Sequence, residues 1–224
     1  MTSVPTATHS RAKEPYLKGL NAAYLWTFVA INLAVFFCLV VSNGLTEASL
    51  DHFWQKATTK SGIFAAGIPI LAIVLGGLLS DTAKARLVFW RWTNPLPGCR
   101  VFTFLIHSDP RIDIQALAAK LGNFPTVPQE QNSLWFNVYR RHKAALRVLE
   151  AHRLYLLTRD MTAIAFAFFF LLSTIGLLQL DVTKVAGLYA LALLVQFLLV
   201  ASASRHYGDR FVLNVLVEEL HPNS

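Results

Sequence analysis

Charge is what this sequence has least of. Of its 224 residues, 15% are Asp, Glu, Lys or Arg and 54% are hydrophobic, where an ordinary soluble domain carries about 25% charged residues. The deficit is concentrated. Segments 19–46, 61–80, 161–180 and 185–204 contain no Asp, Glu, Lys, Arg or His at all. Each is long enough to cross the roughly 30 Å hydrocarbon core of a bilayer as a helix of about 20 residues. Four such segments exclude an ordinary soluble globular protein. The first begins too late and runs too long for a cleaved signal peptide.

Other absences narrow the chemistry. There are two cysteines. Cys38 falls within the first apolar segment and Cys99 in the long polar stretch, so no disulfide is expected between them. The sequence has no Gly-rich phosphate loop, no His-Glu-x-x-His and no Cys-x-x-Cys. No catalytic residue, metal or cofactor is assigned. Proton-coupled and metal-cation transporters place ionisable side chains within the membrane, so the uncharged spans argue against transport of that kind by this chain alone.

The sequence therefore predicts an all-α membrane protein with four transmembrane helices arranged as two hairpins. The first hairpin occupies 21–80, with helices at about 22–42 and 62–80. The second occupies 161–204, with helices at about 161–180 and 185–204. Segment 1–20 is a tail, 81–160 a small, mainly helical domain, and 205–224 an amphipathic tail helix. The tail places Phe211, Val212, Val215, Leu216 and Leu220 on one side and Arg210, Asn214 and Glu218 on another.

Orientation follows from the distribution of basic residues. Segments 1–20, 81–160 and 205–224 hold 3, 12 and 2 Lys/Arg, which is 17 of the chain's 20. Both termini and the 81–160 domain are thus expected in the cytoplasm, with the spans in a bacterial inner membrane. This asymmetry also accounts for the pI of 9.6 without a nucleic-acid partner.

Within the spans, Asn32 and Gln196 are the conspicuous polar side chains. Each needs a hydrogen-bond partner, either on a neighbouring helix or along a water-filled path. Pro69 predicts a kink. Ala72, Gly76 and Ser80 place small residues four apart on one helical face, where another helix can approach closely. Beyond Ser80 the helix is expected to continue to about Trp92, with Lys84, Arg86, Trp90, Arg91 and Trp92 forming an interfacial collar. Val101–Ile106 reads as a short strand or a buried extended segment. Asp113 is expected to cap a helix that ends near Leu121, with Gly122 terminating it. From Pro128 a helix should run almost unbroken into the third span, where Phe166 and Phe168–Phe170 form a lipid-facing cluster.

Two polar constellations are candidates for recognition. His107, Asp109, Arg111 and Asp113 lie within seven residues, with Arg100 upstream. They could bind a metal or a polar ligand, but their spacing matches no defined ligand motif, and a solvated turn capping the next helix is the plainer reading. Arg140, Arg141, Lys143 and Arg147 form a basic run, with 140, 143 and 147 on one helical face. Its plain partner is the lipid headgroup layer; a nucleotide or other phosphate-bearing ligand is the sharper one.

The pattern Leu96-Pro-Gly-Cys-Arg-Val-Phe102, Asp109-Pro-Arg-Ile-Asp113, Gln131-Asn-Ser-Leu-Trp-Phe136 and Tyr139-Arg-Arg-His142 resembles small bacterial multi-pass inner-membrane proteins. That resemblance implies four helices and no particular activity or site residue. The architecture alone is also similar to membrane effectors of bacterial anti-phage systems. The expected function is a non-enzymatic membrane effector or sensor, oligomeric or partnered in a membrane complex, whose cytoplasmic domain receives a signal. A scaffold or accessory subunit of a larger complex, a membrane-bound enzyme using His107, Asp109 and Asp113, and a small-solute transporter are the alternatives.

Overall fold

The computed structural model describes residues 17–42, 79–179 and 183–222. Among these the chain is helical throughout, with six α-helices and no strand. They are α1 (Leu17–Ser42), α2 (Asp81–Phe89), α3 (Ile114–Leu121), α4 (Pro128–His142), α5 (Leu146–Gln179) and α6 (Thr183–Leu220). Three of them, α1, α5 and α6, are long and apolar enough to cross a membrane. The expected second span, with Pro69, Ala72 and Gly76, lies outside the described residues.

Helices α5 and α6 dominate the molecule. They have 34 and 38 residues, so at about 1.5 Å per residue they are roughly 51 and 57 Å long. That is nearly twice the thickness of a hydrocarbon core. Only their charge-free parts, 161–179 and 185–204, match a bilayer; the rest extends into a polar head. Among these spans Phe36, Phe168 and Leu172 are fully buried, with Val29, Tyr189 and Leu193 beside them. The Phe166–Phe170 cluster is split by this packing. Phe168 faces the other helices, while Phe170 is exposed. Exposed Ile31, Val35, Leu188, Leu191 and Leu199 cover the outside, as a lipid-facing surface requires.

The tail helix expected after residue 204 is the direct continuation of α6, which runs unbroken to Leu220. Its last turns form the axis of the head. Phe211, Val212, Val215, Leu216 and Leu220 are all buried there, and so are Leu213 and Val217. The head covers more than one stripe of this segment, which is why it needs apolar residues beyond one stripe. Lys120 of α3 donates to the carbonyls of Glu219 and Leu220 at 2.8 and 3.3 Å, satisfying acceptors that every helix end leaves open.

The rest of the head is built from short pieces. Asp113 caps α3 by accepting from the amides of Gln115 and Ala116, and the helix ends at Leu121 with Gly122 at φ 81°. Ser80 is an extended N-cap whose hydroxyl accepts from the Ala83 amide, so α2 starts at Asp81 where a helix was expected to continue through Ser80. It stops at Phe89, because Trp90 turns left-handed. Val101–Ile106 is a turn and a 3-10 segment rather than a strand. Buried Gln131 holds it: its side-chain oxygen accepts from the amides of Phe102 and Thr103 at 3.1 and 3.3 Å. Between α4 and α5 the helix breaks at Lys143–Ala145, so Arg140 and Arg147 stand on different helices.

Two glycines on α6 separate close packing from open surface. A β-carbon on Gly208 would come within 2.8 Å of Phe89 and 3.0 Å of Tyr155, whereas one on Gly187 would meet nothing within 4 Å. Gly208→Ala should therefore lower stability by about 1–3 kcal/mol, the usual cost of overpacking. Gly187→Ala should cost nothing, since Ala is the better helix former. Thermal unfolding of the two variants in one detergent checks this; equal melting temperatures would contradict the close approach at Gly208.

Candidate functional site in the head

Where α5 begins and α6 ends, the two helices leave a groove of about 580 Å³. Its polar lining is Arg147 and Glu150 from α5, and Tyr207, Arg210, Asn214 and Glu218 from α6. Leu146, Ala151 and Leu154 add apolar surface. Helix periodicity explains the set. Residues 207, 210, 214 and 218 lie three or four apart and share one face of α6, as 147, 150 and 154 do on α5. Arg147 reaches Glu218 at 4.0 Å, and the Glu218 side chain is 8% exposed. Leu146 and Leu154 are exposed, so the groove has an apolar lip.

The segment from Asp109 to Asp113 contacts this groove at one point. Arg111 is gripped by Asp109 through Nε and Nη2, at 2.9 and 2.6 Å, and its Nη2 also donates to Asn214 at 3.1 Å. The Arg111 hydrogen bond holds the Asp109 carboxyl below its ordinary range, and Arg210 adds to the effect. Asp109 thus stays ionised and keeps Arg111 placed beside Asn214.

The remaining candidates are dispersed. Arg100 pairs with Asp209 at 2.7 Å and lies over the Phe89 ring. His107 is exposed, and Asp113 is occupied as a helix cap. Arg140 bonds Asn137 on its own helix. Arg141 and His142 reach Glu219, at 3.4 and 2.6 Å, tying α4 to the end of α6. Lys143 is exposed in the break between α4 and α5. In the spans, Asn32 is buried and donates to the Phe28 carbonyl of its own helix at 2.9 Å. Gln196 is half-buried on α6. Of the nine polar residues expected to bind a ligand, Arg147 alone lines the groove, and Asp109 and Arg111 support its edge. Glu150, Tyr207, Arg210, Asn214 and Glu218 complete it; three of these already shared one face in the sequence pattern, but their partner helix did not show.

An aromatic cluster backs the head. His152 stacks on Phe211 with ring centroids 4.5 Å apart, and Tyr139 packs edge-on against both. Tyr139 Oη and His152 Nδ1 are 3.1 Å apart, and Trp135 donates to the Val212 carbonyl at 3.1 Å. Burial, with the Arg159 charge second, pushes the His152 imidazole down to about 4. The ring is therefore neutral at pH 7.

Chemically, the groove offers two guanidinium groups, two carboxylates, a phenol and an amide. Arginine forks suit phosphate and carboxylate oxygens, while the two glutamates suit a ligand's N–H donors. Among the described residues no group of three His, Cys, Asp or Glu side chains is placed to hold a metal ion. No protein-family model, curated protein or solved structure matches this chain.

The His152 environment gives a pH dependence of known sign. The unfolded imidazole takes up a proton near 6.5, and the folded one only near 4. The unfolded chain therefore binds more protons in that window, and stability falls as pH drops from about 6.5 to 4. The full shift is worth about 3 kcal/mol at most. His152→Phe keeps a ring against Phe211 and removes the titration. Its melting temperature should vary less between pH 7 and 4.5 than that of the wild type, and parallel curves would refute the assignment.

Proposed function

We propose that the chain is a multi-pass bacterial inner-membrane protein that couples a signal on its cytoplasmic head to its spans. In this reading four spans form two hairpins, both termini and the head are cytoplasmic, and the protein acts as an oligomeric sensor or effector. The signal is a phosphate-bearing ligand, such as a nucleotide, held in the α5–α6 groove.

One observation carries the proposal: the groove walls are the same two helices whose continuations form the apolar hairpin. Neither helix is interrupted between the head and the charge-free segment. A ligand that draws Arg147 and Arg210 together changes the spacing of α5 and α6 at the head, and continuous helices pass that change into the bilayer. The groove chemistry supports an anionic ligand that also carries N–H donors, as nucleobases do. The basic residues in 81–160 and at both ends of the chain support the orientation.

Two measurements test this. For topology, Cys38 and Cys99 are replaced by Ser and single cysteines are placed at Ser108 on the head or at Lys184 at the far end of α6. A membrane-impermeant maleimide added to intact spheroplasts should label the Lys184→Cys variant and spare the Ser108→Cys variant; the reverse result overturns the orientation. For ligand binding, the full-length protein in detergent is screened by thermal shift against nucleoside mono-, di- and triphosphates and cyclic nucleotides. At least one class should raise the melting temperature, and Arg147→Gln with Arg210→Gln should weaken its binding at least tenfold. A flat response across the panel, or a shift unchanged in the double variant, removes the groove as the signal site.

A further inference from the structure

A second hollow, of about 520 Å³, lies where the head meets the spans. Arg86 of α2 and the following turn, Trp90, Arg91 and Trp92, wall one side; Phe166 of α5 and Phe197 of α6 wall the other. Phe166 lies six residues past Asp160, the last charged residue before the α5 span, and Phe197 eight residues before Arg205. At about 1.5 Å per residue these rings sit roughly 9 and 12 Å into the charge-free segments. The hollow therefore extends from the level of the last charges into the apolar zone.

Its polar side is cationic and aromatic. The described residues that line it include two arginines and no carboxylate. Arg86 donates from Nε to the Trp92 carbonyl at 3.1 Å, which holds the guanidinium against the turn. Trp90 adopts φ 52°, a left-handed conformation that a residue of this size rarely takes. That conformation seats its ring under Arg205, whose guanidinium carbon is 3.8 Å from the ring centroid. Arg205 also donates to the Val88 carbonyl. Even so, Trp90 is 56% exposed and Trp92 82% exposed. Indole rings left open beside arginines, at the level where charge gives way to apolar helix, match the headgroup layer of a bilayer.

We infer that this hollow is a binding site for one anionic phospholipid of the bilayer, with its phosphate on Arg86 and Arg91 and an acyl chain against Phe166 and Phe197. The net positive lining selects against a zwitterionic lipid, whose ammonium group would meet no carboxylate among the described lining residues. The phenylalanine wall selects against a soluble phosphate, which would leave that surface wet. The indole rings of Trp90 and Trp92 then lie at the level of the glycerol esters. This site is separate from the α5–α6 groove: the two share no lining residue.

The test is native mass spectrometry of the full-length protein released from detergent micelles, titrated with dioleoyl-phosphatidylglycerol or dioleoyl-phosphatidylcholine. The wild type should bind phosphatidylglycerol at least tenfold more tightly. Arg91→Gln alone should cut that preference about fivefold. Arg86→Gln with Arg91→Gln should abolish it, and Arg86→Lys with Arg91→Lys should keep most of it. Arg140→Gln with Arg141→Gln, which changes net charge equally at a distant place, should leave it intact. The inference is overturned if the wild type shows no preference, if the preference survives Arg91→Gln undiminished, or if the distant pair reduces it as much. Binding of sn-glycerol 3-phosphate as tight as that of the lipid would make this a soluble-phosphate site and would also overturn it.

Discussion

The structure depends on how charge is managed at the neck, where the apolar parts of α5 and α6 give way to the head. Lys84 pairs with Asp160 at 2.9 Å, and Arg159 pairs with Asp81 at 3.0 Å and Asp160 at 3.5 Å. This network stands immediately before the uncharged span that starts at Met161. Arg159 is 6% exposed, and a guanidinium that deeply placed is costly unless it is paired. Pairing ties the start of α2 to α5. On α6, Arg100 pairs with Asp209, whose carboxyl is pushed up by burial and pulled back by Arg100. α2 and the short 3-10 segment ending at Arg100 are thus clamped, the first to α5 and the second to α6, at the level where neither bulk water nor hydrocarbon serves a charge.

That clamp explains why the head is not an independent unit. Roughly 70 residues between α2 and the α5 span are few for a separate hydrophobic core. The head gains its core by borrowing: α6 supplies Phe211 to Leu220 as an apolar axis, and α5 supplies Val148, Ala151 and Tyr155. Asn21 at the foot of α1 exchanges hydrogen bonds with Arg153, to its carbonyl and from its Nε, both at 3.0 Å. Every long apolar helix described is therefore anchored in polar surroundings at its head end. Separating head from spans would expose the α6 axis and leave the neck charges unpaired.

The parts legible in the sequence were those set by local composition. Charge-free runs marked the long helices, Asp113 and Gly122 bounded α3, and the apolar face of the tail was the face that is buried. The parts that were not legible depend on contacts distant in sequence. The 101–106 stretch looked like a strand because it is apolar, but Gln131, 28 residues beyond Thr103, caps its amides in a turn. The tail read as a separate amphipathic helix because charge returns at Arg205. In the fold that arginine is spent on the Trp90 ring and the Val88 carbonyl, so the helix has no reason to stop. The basic run 140–147 has the spacing of a shared helical face, yet the break at 143–145 sends Arg147 into the groove and Arg141 to Glu219. A break without Pro or Gly leaves no local mark.

The same geometry sets the two proposed sites in a fixed relation. The groove lies at the head ends of α5 and α6, and the lipid hollow lies farther along the same pair, beyond the neck. Between them stand Arg159 and Asp160, paired with α2, and Asp209, paired with Arg100. A change in α5–α6 spacing at the groove cannot reach Phe166 and Phe197 without moving these pairs. Because α2 carries both Lys84 of the neck and Arg86 of the hollow, that movement also shifts one wall of the hollow against the other. Occupancy by lipid and occupancy of the groove would then bias the same displacement. Coupling of that kind is reciprocal by thermodynamic necessity, so a ligand that stabilises one spacing of the helices must alter lipid affinity by the factor with which lipid alters its own.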